Sequence, residues 1–392
     1  MTYYTNAKSS PTNVSRVDFL DGIRGWASFA VLLSHILMSF LVLTTPFLRY
    51  DRERLIGAIS SNNYLDIIAG IFLKFISSGH FAVVIFFVVS GYALSVGNLD
   101  LVKRKLALSA ASRYFRLMIP ILITSLIAYL LLKLNLMFNL EVATTPEKSS
   151  GWLGTFYKFD ASIEDVIMFS FYDVFFKYDS DKTYNSILWI MQIEIAGSFM
   201  IYAYLAIFRA TEKIHWKVVL PLTTALFVAK PLLSCFLIGY IIAEINKKYN
   251  GDYLLSFLKI KNIEIFFISL FLISATLSTY FRSNDYEACF LASCIVLSVS
   301  FSRNLKSFFS NRLSNYLGRI SFPLYLIQTP IICSWSSFLY LKLPALGFDM
   351  ITSNLINLFS TVALSLLSAT LLLPIEKLSI IYSKKIARVF IN

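Results

Sequence analysis

The stretch that decides the fold is Arg16-Val17-Asp18-Phe19-Leu20-Asp21-Gly22-Ile23-Arg24-Gly25-Trp26, which runs into an apolar segment that carries His35. Arg24 and His35 are eleven residues apart. At about 100° per residue this is three turns plus roughly 20°, so both side chains lie on one helix face, with Cα atoms roughly 16 Å apart. Asp21 and Ser28 share that face. The pattern predicts a cation at the mouth of a membrane helix and a proton acceptor halfway along it.

Composition indicates that the whole chain is a polytopic membrane protein. Of its 392 residues, 57% are hydrophobic and only 15% are charged, and the mean hydropathy is +0.67. A soluble domain carries about 25% charged residues, so an ordinary soluble protein is excluded. The net charge of +12 arises from Lys and Arg in short loops between apolar runs. Such loops are the orientation signal of membrane proteins, so we expect no nucleic-acid partner.

About ten apolar runs approach the length of a membrane helix, which needs about 20 residues. The fold class is therefore expected to be an all-α membrane helix bundle with about ten spans. The fifth and sixth runs are the shortest, because Lys230-Pro231 divides one apolar stretch. The runs are near 22–44, 80–97, 112–134, 184–208, 216–229, 231–246, 262–281, 285–302, 316–340 and 353–378.

The charged loops predict the orientation and the domain boundaries. The stretch 98–116, from the end of the second run into the first residues of the third, holds five Lys or Arg against one Asp, so it should be cytoplasmic. Counting alternately from there places both termini in the cytoplasm, as tails 1–17 and 384–392 around a transmembrane domain at 18–383. The connection 135–183 then lies outside. Its amphipathic part at 161–177, with Ser162 and Asp165 as a capping box, predicts a short interfacial helix on the outer surface.

His35 and the cysteines are the first candidates for chemistry inside the membrane. A histidine at mid-membrane is either bonded to a neighbouring helix or borders a cavity, and the other polar residues on its face favour a cavity. The three histidines have no HExxH-like spacing, and the four cysteines have no CxxC spacing. We therefore expect no metal site and no disulfide framework.

Five motifs, in order along nearly the whole chain, resemble those of the acyltransferase family 3 membrane proteins. The late Tyr-Leu element departs from the family at Gln328, where family members often have histidine. The five are Asp18-Phe19-Leu20-Asp21-Gly22-Ile23-Arg24-Gly25 followed by His35, Phe86-Phe87-Val88-Val89-Ser90-Gly91-Tyr92, Arg113-Tyr114-Phe115-Arg116, Trp189-Ile190-Met191-Gln192-Ile193-Glu194, and Ser321-Phe322-Pro323-Leu324-Tyr325-Leu326.

The resemblance implies an O-acyltransferase that uses acyl-CoA, usually acetyl-CoA, as co-substrate and needs no metal. The acceptor would be a hydroxyl of a cell-surface glycan or lipid-linked saccharide, with the protein in a bacterial inner membrane. His35 would be the catalytic residue, because imidazole can take the proton of a hydroxyl at physiological pH. It could equally carry the acyl group itself. The residues leave both routes open.

The resemblance also assigns the remaining site residues. Arg24, Arg113 and Arg116 would bind the coenzyme A phosphates, since guanidinium pairs with phosphate in bidentate fashion. For Arg113 and Arg116 the competing interpretation is positive-inside anchoring. Substrate contact or support would come from Asp21, Ser90, Trp189, Glu194 and Tyr325.

Two other functions remain open at this stage. A secondary transporter or flippase of a glycolipid or acylated intermediate would suit the intramembrane charges and the break at Lys230-Pro231. No matching interrupted segment in the other half of the chain supports it. A non-catalytic acyl-CoA sensor is disfavoured because His35 and the arginine motifs are all present. The acceptor alternative is a small lipophilic alcohol, and the sequence does not indicate an oligomeric state.

Overall fold

The structure, a computed structural model, describes residues 17–41, 61, 64–98, 103–145, 152–208, 215–257, 263–280 and 284–391. The described residues form helices and connections, with no β-strand among them. The predicted tail at 1–17 lies outside the described residues except for Val17. The helices are α1 (Asp18–Ile36), α2 (Tyr64–Ile76), α3 (Gly79–Asn98), α4 (Lys103–Lys133), α5 (Asn139–Ala143), α6 (Ile163–Met168), α7 (Val174–Phe176), α8 (Ile190–Phe208), α9 (Trp216–Ala229), α10 (Pro231–Phe257), α11 (Ile263–Tyr280), α12 (Asp285–Phe301), α13 (Arg303–Phe309), α14 (Arg312–Ile331), α15 (Ser337–Ala345), α16 (Met350–Leu371) and α17 (Leu373–Ile391).

The all-α polytopic bundle predicted from the sequence is confirmed. In the described part of the chain, seven helical segments are long and apolar enough to cross a membrane, and the bent pair α12–α13 makes an eighth. The two predicted spans on either side of Lys230-Pro231 form α9 and α10. Neither is among the seven, and α9 has only 14 residues. The number of spans and the cytoplasmic position of both termini stay predictions.

Helix α1 lies at the centre of the bundle, packed along α14 and against α3. Two glycines of the opening stretch make this close packing possible. A Cβ atom at Gly22 would overlap the carbonyl oxygen of Phe309, and one at Gly25 would overlap the backbone of Gly318. Small residues allow helix backbones to approach closely in membranes. The opening stretch therefore fixes how α1 meets α13 and α14.

The described parts of the connection, 135–145 and 152–183, pack against the bundle and are held there by hydrogen bonds. Its end is tied to α14, because Asn185 Nδ2 donates to the carbonyl oxygen of Leu326 at 2.6 Å. Burial raises the pKa of Tyr178 to about 12. Its hydroxyl therefore stays protonated and donates to the Ser186 carbonyl oxygen at 2.8 Å. The connection is thus a structural part of the bundle.

The capping box and the short helix predicted after Ser162 are present, and the segment contacts α4. Ser162 Oγ accepts from the backbone N–H of Asp165 at 3.0 Å, and α6 continues through a π-helical turn (Phe169–Asp173) into α7. The Tyr114 hydroxyl donates to the carbonyl oxygen of Phe171. Tyr114 is eleven residues into α4 (114 minus 103). The segment therefore packs against α4, and its position relative to the membrane surface stays a prediction.

Candidate active site

A cavity opens between α1, α3, α4, α8, α14 and α17, and all three predicted site arginines line it. Its volume is about 50 Å³, space for a few water molecules. We call it the arginine cavity. Residues of α9 and α10 are not among its described lining. The lining residues are Arg24, Phe86, Ser90, Arg113, Arg116, Leu117, Ile190, Met191, Glu194, Ser321, Phe322, Tyr325 and Glu376.

Arg113 and Glu194 form an ion pair across the cavity, between α4 and α8. A terminal nitrogen of Arg113 donates to a carboxylate oxygen of Glu194. Arg113 Nε also donates to Ser198 Oγ at 3.1 Å. Only 13% of the Arg113 side chain and 10% of the Glu194 side chain are exposed. A charge at this depth needs a partner, so the pair explains how both residues are accommodated within the bundle.

Arg24 and Arg116 face the same cavity from α1 and α4. Arg24 Nε is buried and has no hydrogen-bond partner in the described part of the protein. Glu376, from the start of α17, also lines the cavity. Three guanidinium groups against two carboxylates leave the cavity with one excess positive charge. An unpaired buried donor beside an excess of positive charge is suited to binding an anion.

His35 lies beyond the arginine cavity and is not part of its lining. Its Nδ1 is 3.3 Å from Gln328 Oε1. Its ring stacks on that of Trp152, with centroids 4.8 Å apart and an interplanar angle of 18°. We call these three residues the histidine pocket. Trp152 comes from the connection after α5, so the pocket joins two transmembrane helices to the predicted outer segment.

Tyr325 connects the two regions. Its side chain lines the arginine cavity, while its backbone carbonyl oxygen accepts from Gln328 Nε2 at 3.1 Å. Its hydroxyl donates to the carbonyl oxygen of Ile187 at 2.8 Å, and its ring packs edge-on against Phe86 at 5.9 Å. Gln328 follows Tyr325 by three residues, so the arginine cavity and the histidine pocket are about one helical turn apart along α14.

The other predicted site residues are distributed differently. Ser90 lines the cavity, next to Gly91, where a Cβ atom would overlap the backbone of Phe236. Asp21 and Trp189 are not in the cavity lining. Trp189 is 37% exposed at the start of α8. The described residues include no group of three or more His, Cys, Asp or Glu arranged to hold a metal ion.

Sequence reasoning missed the contacts that complete the site. Glu376 belongs to none of the five motifs, and the sequence marks Gln328 only as a departure from the family pattern. Trp152 lies in a polar connection that carries no motif, so no sequence signal pointed to it. The Phe86 ring belongs to a recognised motif, and its pairing with Tyr325 became evident only from the packing of α3 against α14.

The fold and these sites define an integral, multi-pass, all-α membrane protein with a positively charged interior cavity and a histidine behind it. A family model described as an acyltransferase domain matches residues 17–373, nearly the whole chain. The chain therefore belongs to acyltransferase family 3 and is a membrane acyltransferase. No curated protein and no solved structure matches it.

Proposed function

We propose that this protein is an O-acyltransferase of a bacterial inner membrane that transfers an acyl group, with acetyl as the expected one, from cytoplasmic acyl-CoA to a hydroxyl of a cell-surface glycan or lipid-linked saccharide. The observation that carries the proposal is the convergence of Arg24, Arg113 and Arg116 on one cavity that ends beside the histidine pocket. Arginine is the side chain best suited to bidentate phosphate contacts, and coenzyme A carries several phosphate oxygens.

The three arginines would contribute differently to binding of the acyl donor. Arg113 is already paired with Glu194, which holds its side chain in one orientation. Arg24 Nε, buried without a partner among the described residues, is the donor most in need of a phosphate oxygen. The positions of Arg113 and Arg116 inside a cavity support ligand binding over simple anchoring, which requires only exposure at the membrane surface.

His35 supplies the chemistry by one of two routes. As a general base, a ring nitrogen takes the proton of the acceptor hydroxyl while its oxygen attacks the thioester carbonyl carbon. The carbon–sulfur bond breaks, and the coenzyme A thiolate receives that proton. As an acyl carrier, a ring nitrogen attacks the thioester carbonyl carbon first, the carbon–sulfur bond breaks and coenzyme A leaves as the thiolate. The acceptor hydroxyl then attacks the acyl-imidazole, the acyl–nitrogen bond breaks, and the hydroxyl proton goes to the thiolate, which restores neutral His35. Both routes require the thioester to pass Tyr325.

The experiment uses the full chain in detergent or nanodiscs, with acetyl-CoA labelled in its acetyl group. Binding, release of free coenzyme A and label transfer to membrane extracts are measured for the wild type, His35→Ala and His215→Ala. We expect all three to bind, with His35→Ala transferring at least about a hundredfold more slowly. The His215→Ala control, outside the site, should match the wild type.

Two results would contradict the proposal. Normal transfer by His35→Ala would remove His35 from the mechanism. Failure of all three folded proteins to bind acetyl-CoA would exclude it as the donor, and transport of an acylated intermediate would then be tested instead. The interrupted segment at Lys230-Pro231, which first suggested transport, lies outside the described cavity lining, so the structure adds nothing in its favour.

A further inference from the structure

The Gln328 side chain can adopt only one amide orientation in its surroundings. It is fully buried, and one end lies 3.1 Å from the carbonyl oxygen of Tyr325. A carbonyl oxygen only accepts hydrogen bonds, so the NH₂ group of Gln328 must face Tyr325. Its Oε1 atom is therefore the end that faces His35, at 3.3 Å from Nδ1.

This orientation fixes which nitrogen of neutral His35 carries the proton. Oε1 of Gln328 only accepts, so Nδ1 of His35 must be the donor. In a neutral imidazole the other nitrogen is then unprotonated. Nε2 of His35 is left with an in-plane lone pair, which is what a base or a nucleophile needs.

Trp152 fixes the plane of the same ring. The two rings are nearly parallel, at 18° and 4.8 Å, so tilting His35 would break the stack. Trp152 covers one face of the His35 ring. It does not cover the edge of the ring that carries Nε2. Trp152 is held in turn by the edge of Phe156, with ring centroids 4.7 Å apart. Asn139 Nδ2 fastens this turn by donating to the carbonyl oxygen of Phe156 at 3.1 Å.

We infer that Gln328 and Trp152 are positioning residues that hold His35 as the Nδ1–H tautomer with Nε2 as its reactive nitrogen. That Nε2 is the reactive nitrogen rests on the proposed function. The tautomer is a property of the resting protein and does not depend on that function. The inference assigns a role to the residue at which the chain departs from its family, and to a residue of the predicted outer connection. Because Gln328 is neutral, it orients the ring without supplying a negative charge.

The tautomer is tested by ¹⁵N NMR of protein labelled only at histidine. The chain has three histidines, so a His35→Ala sample identifies the His35 signals. At a pH where the ring is neutral, we expect the wild type to show protonated Nδ1 and unprotonated Nε2. The opposite tautomer in the wild type would overturn the inference, whatever the protein catalyses. This readout requires no acyl donor or acceptor, so its failure is distinguishable from failure of the proposed function.

Matched variants test the positioning role. Gln328→Met keeps a similar length without hydrogen-bonding groups, and we expect it to lose the tautomer preference and to lower kcat at least about tenfold. The KM for acetyl-CoA should change less than about twofold, because the arginine cavity is untouched. Trp152→Leu should also lower kcat. Trp152→Phe retains an aromatic ring, so its kcat should stay closer to that of the wild type. Wild-type tautomer and kcat in folded Gln328→Met, or equal kcat in Trp152→Leu and Trp152→Phe, would overturn the respective assignment.

Discussion

The arginine cavity and the histidine pocket are neighbours along α14, yet they are built from opposite kinds of side chain. The cavity contains three guanidinium groups and two carboxylates. The pocket surrounds its single imidazole with a neutral amide and an indole, and no carboxylate contacts His35 among the described residues. Binding a phosphorylated donor needs charge, whereas a base needs a neutral, fixed ring. The difference indicates that donor recognition and chemistry are assigned to separate compartments, with Tyr325 between them.

Removing the charges of Arg24 and Arg116 should weaken donor binding in the arginine cavity and leave the histidine pocket intact. Arg24→Gln with Arg116→Gln leaves the Arg113–Glu194 ion pair intact. We expect acetyl-CoA affinity to fall at least about a hundredfold, because two charge-assisted contacts are lost, each about 1.5–3 kcal/mol. Binding is measured by isothermal titration calorimetry.

The matched control for the arginine variant lies on the same helix. Arg104→Gln with Lys105→Gln removes two positive charges from exposed positions of α4, and its affinity should stay within about threefold of the wild type. If both double variants bind acetyl-CoA as the wild type does, Arg116 reverts to an anchoring role.

Neutralising Glu194, which lines the arginine cavity, should lower the stability of the folded protein. Glu194→Gln leaves the mostly buried Arg113 without its carboxylate, and breaking such a pair by removing one partner costs about 3 kcal/mol. The measurement is the thermal midpoint of the solubilised protein, with exposed Glu164→Gln as the control. An unchanged midpoint in Glu194→Gln would show that the pair adds little to stability.

Tyr325→Phe should produce the smallest effect of these variants. Together with Tyr325→Leu it tests whether the Tyr325 ring separates the arginine cavity from the histidine pocket. The Tyr325→Phe variant loses the hydrogen bond to Ile187 and keeps the ring contact with Phe86, so we expect a loss of about 1 kcal/mol in stability. A change of a few-fold in kcat should accompany it, whereas Tyr325→Leu, which removes the ring, should change kcat more. Equal kcat in the two variants would mean that the ring does not separate the compartments.

The sequence predicted the fold class and the parts of the site that depend on local pattern. Hydropathy and loop charge predicted the all-α membrane bundle, and the confirmed helix α1 has the continuity that puts Arg24 and His35 on one face. The motif residues Arg24, Arg113, Arg116 and Glu194 do lie around one cavity. The roles of these residues stay predictions until binding and transfer are measured.

The number of spans and the position of the helix after Ser162 relative to the membrane stay predictions. Apolar composition alone does not distinguish a spanning helix from a short one such as α9. The segment through Phe171 was assigned to the outer surface because its amphipathic pattern is typical of an interfacial helix. In the structure the Tyr114 hydroxyl donates to the carbonyl oxygen of Phe171, a contact with α4 that the amphipathic pattern did not predict.

Spacing and composition were enough to predict helices in a membrane and a polar face on α1. Only the tertiary structure decided the partners. The His35–Gln328 contact joins residues 293 positions apart, and Trp152 reaches His35 from a connection without a motif. Helical periodicity repeats every 3.6 residues and carries no information about such distances. Which side chains meet is determined by how the helices and the folded connection pack against one another.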